Sequence, residues 1–326
     1  RLFNQMKGFG DYGFPESHSA SFALLAYASA WLKCHYPAAF CCALLNSQPM
    51  GFYSPSQLVQ DARRHGVTVL PVDVDHSDWD CTLEQVTPAI RLGLRQVSGF
   101  SELAATRIRA ARQQRAFASL QDLARRALLD RHELDLLAGA GALARLGGHR
   151  RQAHWQAAAI EEPRPLFEHA ENAGTGLLHD AVALPPAPEA AEVAEDYRST
   201  GLTLGRHPLA LLRAQQPFAG CRRARDLPAL HSGRFVRVAG LVTGRQRPGT
   251  ASGVLFLTLE DESGNINVVV WRDRQERFRK ALLRGQLLLV KGVVESRDSV
   301  VHVIAGEIID HSAALGALRT RSRDFH

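Results

Sequence analysis

The hydrophobic pattern divides the chain into a long helical part and a shorter strand-rich part. Near its start, apolar residues recur at steps of three and four, through Phe22, Leu25 and Leu32, until Pro37 ends the run. This period is typical of a helix with one apolar face. Much further on, residues 234–310 change to short, evenly spaced strand-like runs. The pattern therefore predicts a mixed α+β chain.

Five strand-like runs, with one helix between the third and the fourth, make up the strand-rich part. The runs are RFVRVAGLV, VLFLTLED, INVVVW, LLLVKGVVES and VHVIAGEI, and the helix is RQERFRKALL. This is the order of an OB-fold barrel, which binds single-stranded nucleic acid by stacking bases on aromatic rings beside a basic groove. We predict Trp271 as the stacking residue and interpret Phe256 and Phe278 as core residues. The arginines predicted to line the groove are Arg245, Arg247 and Arg272.

A glycine turn between two helical runs predicts a hairpin that binds duplex DNA. The turn is VSGFS, residues 97–101, in which Ser101 replaces the usual second glycine. Such turns present backbone N–H groups to a phosphate without reading the base sequence. We predict this role for Gly99 and Ser101, and we interpret a second nominal match at residues 137–141 as a packed small-residue turn. On the helix that follows the first turn, the arginines predicted to follow the duplex backbone are Arg107, Arg109 and Arg112.

Residues 8–37 join a glycine-punctuated loop to the start of the first helix. Ser17, His18 and Ser21 lie in or near its first turn. Free backbone N–H groups and the positive end of the helix dipole meet there, which suits a phosphate group. The alternative is a capped helix with a satisfied histidine. The residues of this segment, taken alone, favour that alternative.

Two other clusters could hold a metal ion, and neither pattern supports one. Asp73 and Asp75 form a D-x-D pair of the kind that can bind two ions for phosphoryl transfer, but the neighbouring Pro71 and further acids favour a polar turn. The five cysteines form no C-x-x-C pair and have no ligand spacing with the histidines. We therefore expect no metal site and packed thiols in a reducing cytoplasm.

Composition and charge place the chain among globular proteins that contact nucleic acid. It has 326 residues, of which 45% are hydrophobic, enough for two or three domains. No apolar run approaches the roughly 20 residues that span a bilayer, so we expect no membrane partner. The net charge of +6 is sorted into blocks: residues 91–151 carry twelve arginines against five acids, whereas residues 161–196 carry nine acids against one arginine. The basic block indicates either nucleic-acid contact or a solvated arginine face.

Several unrelated motifs, in the right order, resemble the C-terminal part of bacterial C-family DNA polymerases of the DnaE-like type. They are Gly10-Asp11-Tyr12-Gly13-Phe14, Ser17-His18-Ser19-Ala20, Ala30-Trp31-Leu32-Lys33, Gly139-Ala140-Gly141, Gly205-Arg206-His207-Pro208-Leu209 and Leu259-Glu260-Asp261-Glu262-Ser263-Gly264. Where the common replicative pattern has Asn-Lys, this chain has Pro15-Glu16. That pair, and the terminal Ser322-Arg323-Asp324-Phe325-His326, resemble the error-prone branch, which is associated with damage-induced mutagenesis and translesion synthesis.

The resemblance implies a division of the chain into six parts. They are the end of the polymerase fingers at 1–90, a helix-hairpin-helix domain at 91–150, an acidic Pro/Ala-rich linker at 151–196, a helical connector at 197–233, an OB-fold domain at 234–310 and a basic tail at 311–326. From its own residues we expect this tail to be loose. The family's palm, with the carboxylates that bind catalytic Mg²⁺, would precede residue 1. We therefore expect no catalytic residue here, and no primer extension by this part alone.

The resemblance also implies partners and a role for the opening segment. That segment would close over the incoming dNTP, with Lys7 and His18 at the triphosphate, Ser17 and Ser21 beside them, and Tyr12 near the base or sugar. Primer–template duplex and single-stranded template are the implied DNA partners, together with a sliding clamp and mutagenesis accessory proteins. Residues 91–310 alone support an alternative equally well, namely a non-enzymatic DNA-binding scaffold.

Replacement of His18 tests the nucleotide assignment. We expect His18→Ala in the full-length enzyme to lower single-nucleotide incorporation about tenfold or more, because one charge-assisted contact to the triphosphate is lost. Pre-steady-state incorporation kinetics measure the effect. Kinetics equal to those of the parent enzyme would remove His18 from the site.

Overall fold

The computed structural model describes most of the chain. The described residues are 16–50, 53–84, 89–160, 183–248, 253–297, 300–316 and 323–325. Of the residues assigned above, Lys7 and Tyr12 lie outside this part of the chain, and the side chain of Ser17 is not described.

Three helices and a small sheet open the described structure. The helices are α1 (Glu16–His35), α2 (Pro37–Asn46) and α3 (Pro55–Arg64), and the strands are β1 (Thr68–Leu70), β2 (Thr82–Glu84) and β3 (Ala89–Arg91). Proline at the first position fixes φ for both α2 and α3, and Ser54 and Gln57 form a reciprocal capping box at α3. β3 lies between β1, to which it is parallel, and β2, to which it is antiparallel.

The predicted helical hairpins follow this sheet. Their helices are α4 (Glu102–Gln114), α5 (Leu120–Arg126), α6 (Arg131–Gly139), α7 (Ala144–Gly147) and α8 (Arg150–Ala158). One hydrophobic core joins them to the opening elements, because Leu45, Val59, Ile90, Ile108 and Leu137 are all buried in the same cluster. The boundary predicted at residue 91 therefore falls inside a single core, and residues 37–90 pack with the hairpins.

The segment predicted as an acidic linker is partly helical. α8 occupies its beginning and α9 (Glu189–Ser199) its end. α9 is anchored on the hairpins, since Arg150 bonds both Glu192 and Asp196 and is itself only 15% exposed. Two acids of the predicted linker therefore serve as ion-pair partners of the mostly buried Arg150.

The connector joins the hairpins to the barrel. Leu202 belongs to the hairpin core, while Leu209, Phe218 and Cys221 pack on the outside of the barrel. A helix begins after His207, whose imidazole accepts a hydrogen bond from the Leu209 backbone N–H. This helix is α10 (Pro208–Leu212).

The strand-rich part is a closed five-stranded barrel with the predicted OB-fold order. Its elements are β4 (Phe235–Gln246), β5 (Leu255–Asp261), β6 (Gly264–Val270), α11 (Arg272–Arg277), α12 (Arg279–Arg284), β7 (Leu287–Arg297) and β8 (Val300–Asp310). The pairings β4–β5, β5–β6, β6–β8, β8–β7 and β7–β4 close the ring. The long β4 serves both β7 and β5 by bending at a register shift between Val242 and Gly244.

The segment predicted as a loose basic tail contains ordered structure. A 3₁₀ helix spans Ser312–Leu315, and β9 (Arg323–Phe325) pairs in parallel with β4 at Gly244–Gln246. The expectation of a loose tail was thus wrong for these residues. The unpaired outer edge of the bent β4 offers backbone groups that the end of the chain satisfies.

The cysteines pack as predicted, with one exception. Burial raises the pKa of the Cys41 thiol to about 12 and that of Cys42 to about 11, so both stay protonated at neutral pH. Cys81 and Cys221 are buried as well, whereas Cys34 on α1 is exposed. In the part of the chain that the structure describes, no helix is both long and apolar enough to cross a membrane.

A pair of glycines tests how closely β7 and β8 approach. A β-carbon on Gly292 would overlap the carbonyl oxygen of Ile304, whereas one on the exposed Gly306 would lie 3.4 Å from the Lys291 oxygen. We expect Gly292→Ala to lower the free energy of unfolding by about 1–3 kcal/mol, as overpacking does. The matched Gly306→Ala should change it by less than about 0.5 kcal/mol. Urea denaturation followed by circular dichroism measures both, and equal losses would contradict the register.

Candidate nucleic-acid interface

The first helix carries the predicted nucleotide contacts on a solvent-facing surface. His18 and Ser21 are exposed on α1, and the His18 ring lies 4.4 Å from the ring of Phe22. The apolar residues of this helix are exposed too: Phe22, Leu25 and Tyr27 keep 58–71% of their surface. Lys33, at the other end, pairs with Asp61 of α3 at 2.8 Å. The side chains described near the start of α1 are thus exposed to solvent, and their positions do not define how a nucleotide would bind.

The predicted hairpin turn has the backbone that a phosphate contact requires. Gly99 has a φ of +81°, which a side chain would strain, and Ser101 caps α4 by accepting a hydrogen bond from Ala104. Both residues are exposed, while Phe100 between them is buried. Within the described residues, the backbone N–H groups of Gly99 and Ser101 have no hydrogen-bond acceptor. These two amides are available to an anion.

The second nominal match is a packed turn, as the sequence suggested. Gly141 has a φ of +71°, and its α-carbon faces the guanidinium of Arg150. A β-carbon on Gly139 would lie 2.8 Å from the Glu195 carboxylate. Side chains of the chain itself therefore occupy the space beside this turn.

The three arginines that follow the first turn have different surroundings. Arg112 is only 18% exposed and donates to the carbonyl oxygens of Val74 and Ser77 and to the Asp78 carboxylate. Arg107 makes a bidentate pair with Glu133 and bonds the Ala127 carbonyl. Arg109 is 59% exposed, and its ion-pair partner, the Asp78 carboxylate, lies 3.8 Å away. Arg112 therefore holds the fold together, and Arg109 is the cation best placed to reach a ligand.

The four barrel residues predicted to bind single-stranded nucleic acid also differ in their exposure to solvent. Arg245 is buried and donates to the carbonyl oxygens of Leu282 and Gly285, so it fixes the end of α12 and does not line a groove. Arg247 and Arg272 are exposed, and each lies within 4 Å of the position that a β-carbon on Gly253 would take. Trp271, which is 50% exposed, immediately precedes Arg272. One aromatic ring and two cations thus share a corner of the barrel.

A second aromatic ring, assigned to the core from the sequence, belongs to this corner. Leu257 and Leu259 face the barrel core, so Phe256, one residue out of phase, lies on the outer face, where it is half-buried. Phe256 pairs with Val269 of β6, and Trp271 directly follows Val270, the last residue of that strand. Phe278, in contrast, packs against the core as predicted. The strict alternation along β5 is the signal that identifies Phe256.

Polar side chains extend the same outer face. Asn267 of β6 is cross-strand neighbour to Thr258 on one side and His302 on the other. We name Phe256, Trp271, Arg247 and Arg272 the aromatic corner. Gln275 holds it in place by donating to the carbonyl oxygens of Gly253 and Val270. Stacking rings, cations and amides on one rigid face are the groups that bind single-stranded nucleic acid.

Acidic groups elsewhere are engaged in the fold. Asp75 accepts two hydrogen bonds from Arg145, and Asp73 bonds the Asp75 backbone N–H in a turn, as expected for a polar turn. Although burial acts to raise it, Arg213 and Arg223 hold the pKa of Glu262 below its ordinary value. Among the described residues, no group of three or more His, Cys, Asp and Glu side chains is placed to hold a metal ion.

Comparisons with known proteins agree with this architecture. The helix-hairpin-helix motif family matches residues 66–153, which include all three strands of the small sheet as well as the hairpins. An OB-fold nucleic acid binding domain family matches residues 236–310.

Curated relatives match the chain along its whole length. It is 57% identical to a protein of Teredinibacter turnerae, and 56% identical to one of Saccharophagus degradans and one of Pseudomonas aeruginosa. Each relative is called error-prone DNA polymerase, and the chain covers 32% of each. The chain therefore spans about one third of the length of these relatives.

Arg112 and Arg109, both on α4, provide a matched test of the difference between an arginine that holds the fold and one that is exposed. We expect Arg112→Ala to lower the free energy of unfolding by about 2–3 kcal/mol, because two carbonyl groups and one carboxylate lose a charged donor. Arg109→Ala removes one exposed, distant ion pair and should cost less than about 0.5 kcal/mol. Urea denaturation of both variants gives the comparison. A larger loss for Arg109→Ala would reverse the assignment.

Proposed function

We propose that this chain, whose whole length is homologous to one third of the error-prone DNA polymerases, is the part of such an enzyme that holds DNA. The observation that carries the proposal is the aromatic corner, where a half-exposed tryptophan stands beside two exposed arginines on a closed OB-fold barrel. The parent activity, DNA-directed synthesis of DNA, is inferred from the names of the relatives.

The hairpin turn would bind the primer–template duplex. Its two unpaired amides, at Gly99 and Ser101, suit a single phosphate, and Arg109 lies on the helix that follows. Backbone amides contact any base sequence equally, as a polymerase moving along its template requires. Arg107 and Arg112 position this helix on its neighbours and do not contact DNA in this proposal.

The aromatic corner would bind the single-stranded template. Each base has a flat face that can stack on Trp271 or Phe256 whatever its identity. Arg247 and Arg272 would neutralise the adjoining phosphates. Tolerance of altered bases follows from this mode of binding, and it supports a role in synthesis past damaged template.

The opening helix would contribute to the nucleotide site of the complete enzyme. Contact with the incoming dNTP remains a prediction for five residues, namely Lys7, Tyr12, Ser17, His18 and Ser21. In this proposal the catalytic Mg²⁺ belongs to the part of the relatives that this chain does not match. The Asp75 carboxylate of this chain is engaged by Arg145. A sliding clamp and mutagenesis accessory proteins are further proposed partners, to which no described surface is assigned.

A tryptophan replacement with a matched control tests the proposal. We expect Trp271→Ala to weaken binding of a single-stranded oligonucleotide to the chain by about 1–3 kcal/mol, the value of one stacked base. Trp155 on α8 is equally exposed, at 54% against 50%, and lies outside the barrel. Trp155→Ala should therefore leave this affinity unchanged. Fluorescence anisotropy measures both, and an unchanged affinity in Trp271→Ala would remove the corner from the interface.

A further inference from the structure

A second basic surface lies on the helical side of the barrel, beyond the aromatic corner. α11 and α12 connect β6 to β7, and residues 271–286 carry six cations against two acids, a net charge of +4. We name the exposed cations of these helices the basic cap. They are Arg272, Arg277, Arg279, Lys280 and Arg284.

We propose that the basic cap binds the phosphates of a single strand that continues past the aromatic corner. The proposal rests on the proposed function, since it extends the path of the strand held there. It assigns a phosphate-binding role to residues that the OB-fold face does not include.

The cations of the basic cap are not neutralised within the described chain. Arg274 pairs with Asp273 at 3.2 Å, but the five residues of the cap have no ion pair with any described acid. Arg277 lies over the ring of Phe278, 5.3 Å from its centre, an arrangement that leaves the edge of its guanidinium available. Unpaired, exposed cations of one sign raise the local concentration of a polyanion.

The cap is held rigidly on the barrel at both ends. At the start of α11, Gln275 donates to the carbonyl oxygens of Gly253 and Val270. At the end of α12, the buried Arg245 donates to the carbonyl oxygens of Leu282 and Gly285. Binding to a surface that is already ordered loses less conformational entropy. Arg245 thus supports the phosphate contact from behind instead of making it.

A cleft beside the cap has room for a phosphate and two cations in its lining. It has a volume of about 430 Å³ and is lined by Arg277 and Lys280 from the helices and by Ile308, Asp310 and Ser312 from the end of β8 and the following turn. The Asp310 carboxylate is engaged by the backbone N–H and hydroxyl of Ser312. The two cations therefore face a cleft whose single acid already has partners.

Continuity with the aromatic corner identifies the occupant as a nucleic-acid strand. Trp271 is the N-cap residue of α11, so Arg272 belongs to both surfaces. Each six-residue helix is about 9 Å long, which carries the positive charge well beyond the reach of the stacked bases. A strand leaving Trp271 along the helices would keep its phosphates beside cations throughout.

Oligonucleotides of two lengths separate the cap from the corner. We compare the 326-residue chain with the triple variant Arg279→Gln/Lys280→Gln/Arg284→Gln, using oligo-dT of about 5 and about 20 nucleotides, within and beyond the reach of one OB-fold. For the long strand, the slope of log K against log salt should fall by about 2, or about 0.7 for each of three lost phosphate contacts. The short strand should bind the variant as tightly as the parent.

A charge-matched control excludes a general effect of lost charge. Arg198→Gln/Arg206→Gln/Arg225→Gln also removes three exposed arginines, all from α9 and the connector. It should leave the slope for the long strand unchanged. An unchanged slope in the cap variant, or an equal change in both triple variants, overturns the inference. Failure of the parent chain to bind either oligonucleotide would overturn the proposed function itself.

Discussion

A buried carboxylate, that of Asp261, holds together the parts on which the proposed interface depends. Its side chain is fully buried and accepts hydrogen bonds from Arg213, from the backbone N–H groups of Ala224 and Gly264, and from the backbone and hydroxyl of Ser263. A buried charge is tolerated only when it is fully bonded in this way. The connector is thereby fixed to the barrel, and the β5–β6 turn is fixed in register. That register sets Phe256 opposite Val269, two residues before Trp271 in the chain.

Asp261 also shows why the sequence predicted the barrel but not the hydrogen bonds that fix the connector to the barrel. Alternation of apolar residues gave the strands and their order, and the resemblance included the LEDESG motif without explaining it. The five donors to Asp261 come from positions 213 to 264, and a single sequence does not pair such positions. Phe256 could have been placed correctly, because the alternation of Leu255, Leu257 and Leu259 already assigns it to the other face.

The arginines show the limit of predicting function from charge alone. Arg112 and Arg245 match a DNA-binding pattern by position, yet Arg245 is buried, Arg112 is mostly buried, and both bond carbonyl oxygens. Arg109, Arg247 and Arg272 match the same pattern and are exposed. Sequence supplies the charge of a guanidinium, whereas burial depends on tertiary packing that brings distant carbonyl groups within reach. About half of the predicted DNA-contacting arginines therefore serve the fold.

The acidic and basic blocks of the sequence pair with each other in the folded chain. The net charge of a block therefore does not show how much charge is available to DNA. Acids of the turn region at 75–84 pair with Arg145, Arg112, Arg95 and Arg91, and acids of α9 pair with Arg150. The basic block at 91–151 is thus largely neutralised inside its own domain, and its turn offers DNA mainly backbone amides. The barrel helices contain only two acids, Asp273 and Glu276, against six cations, and Asp273 pairs with Arg274. The salt-sensitive part of binding should accordingly come from the barrel, although the hairpin domain contains more arginines.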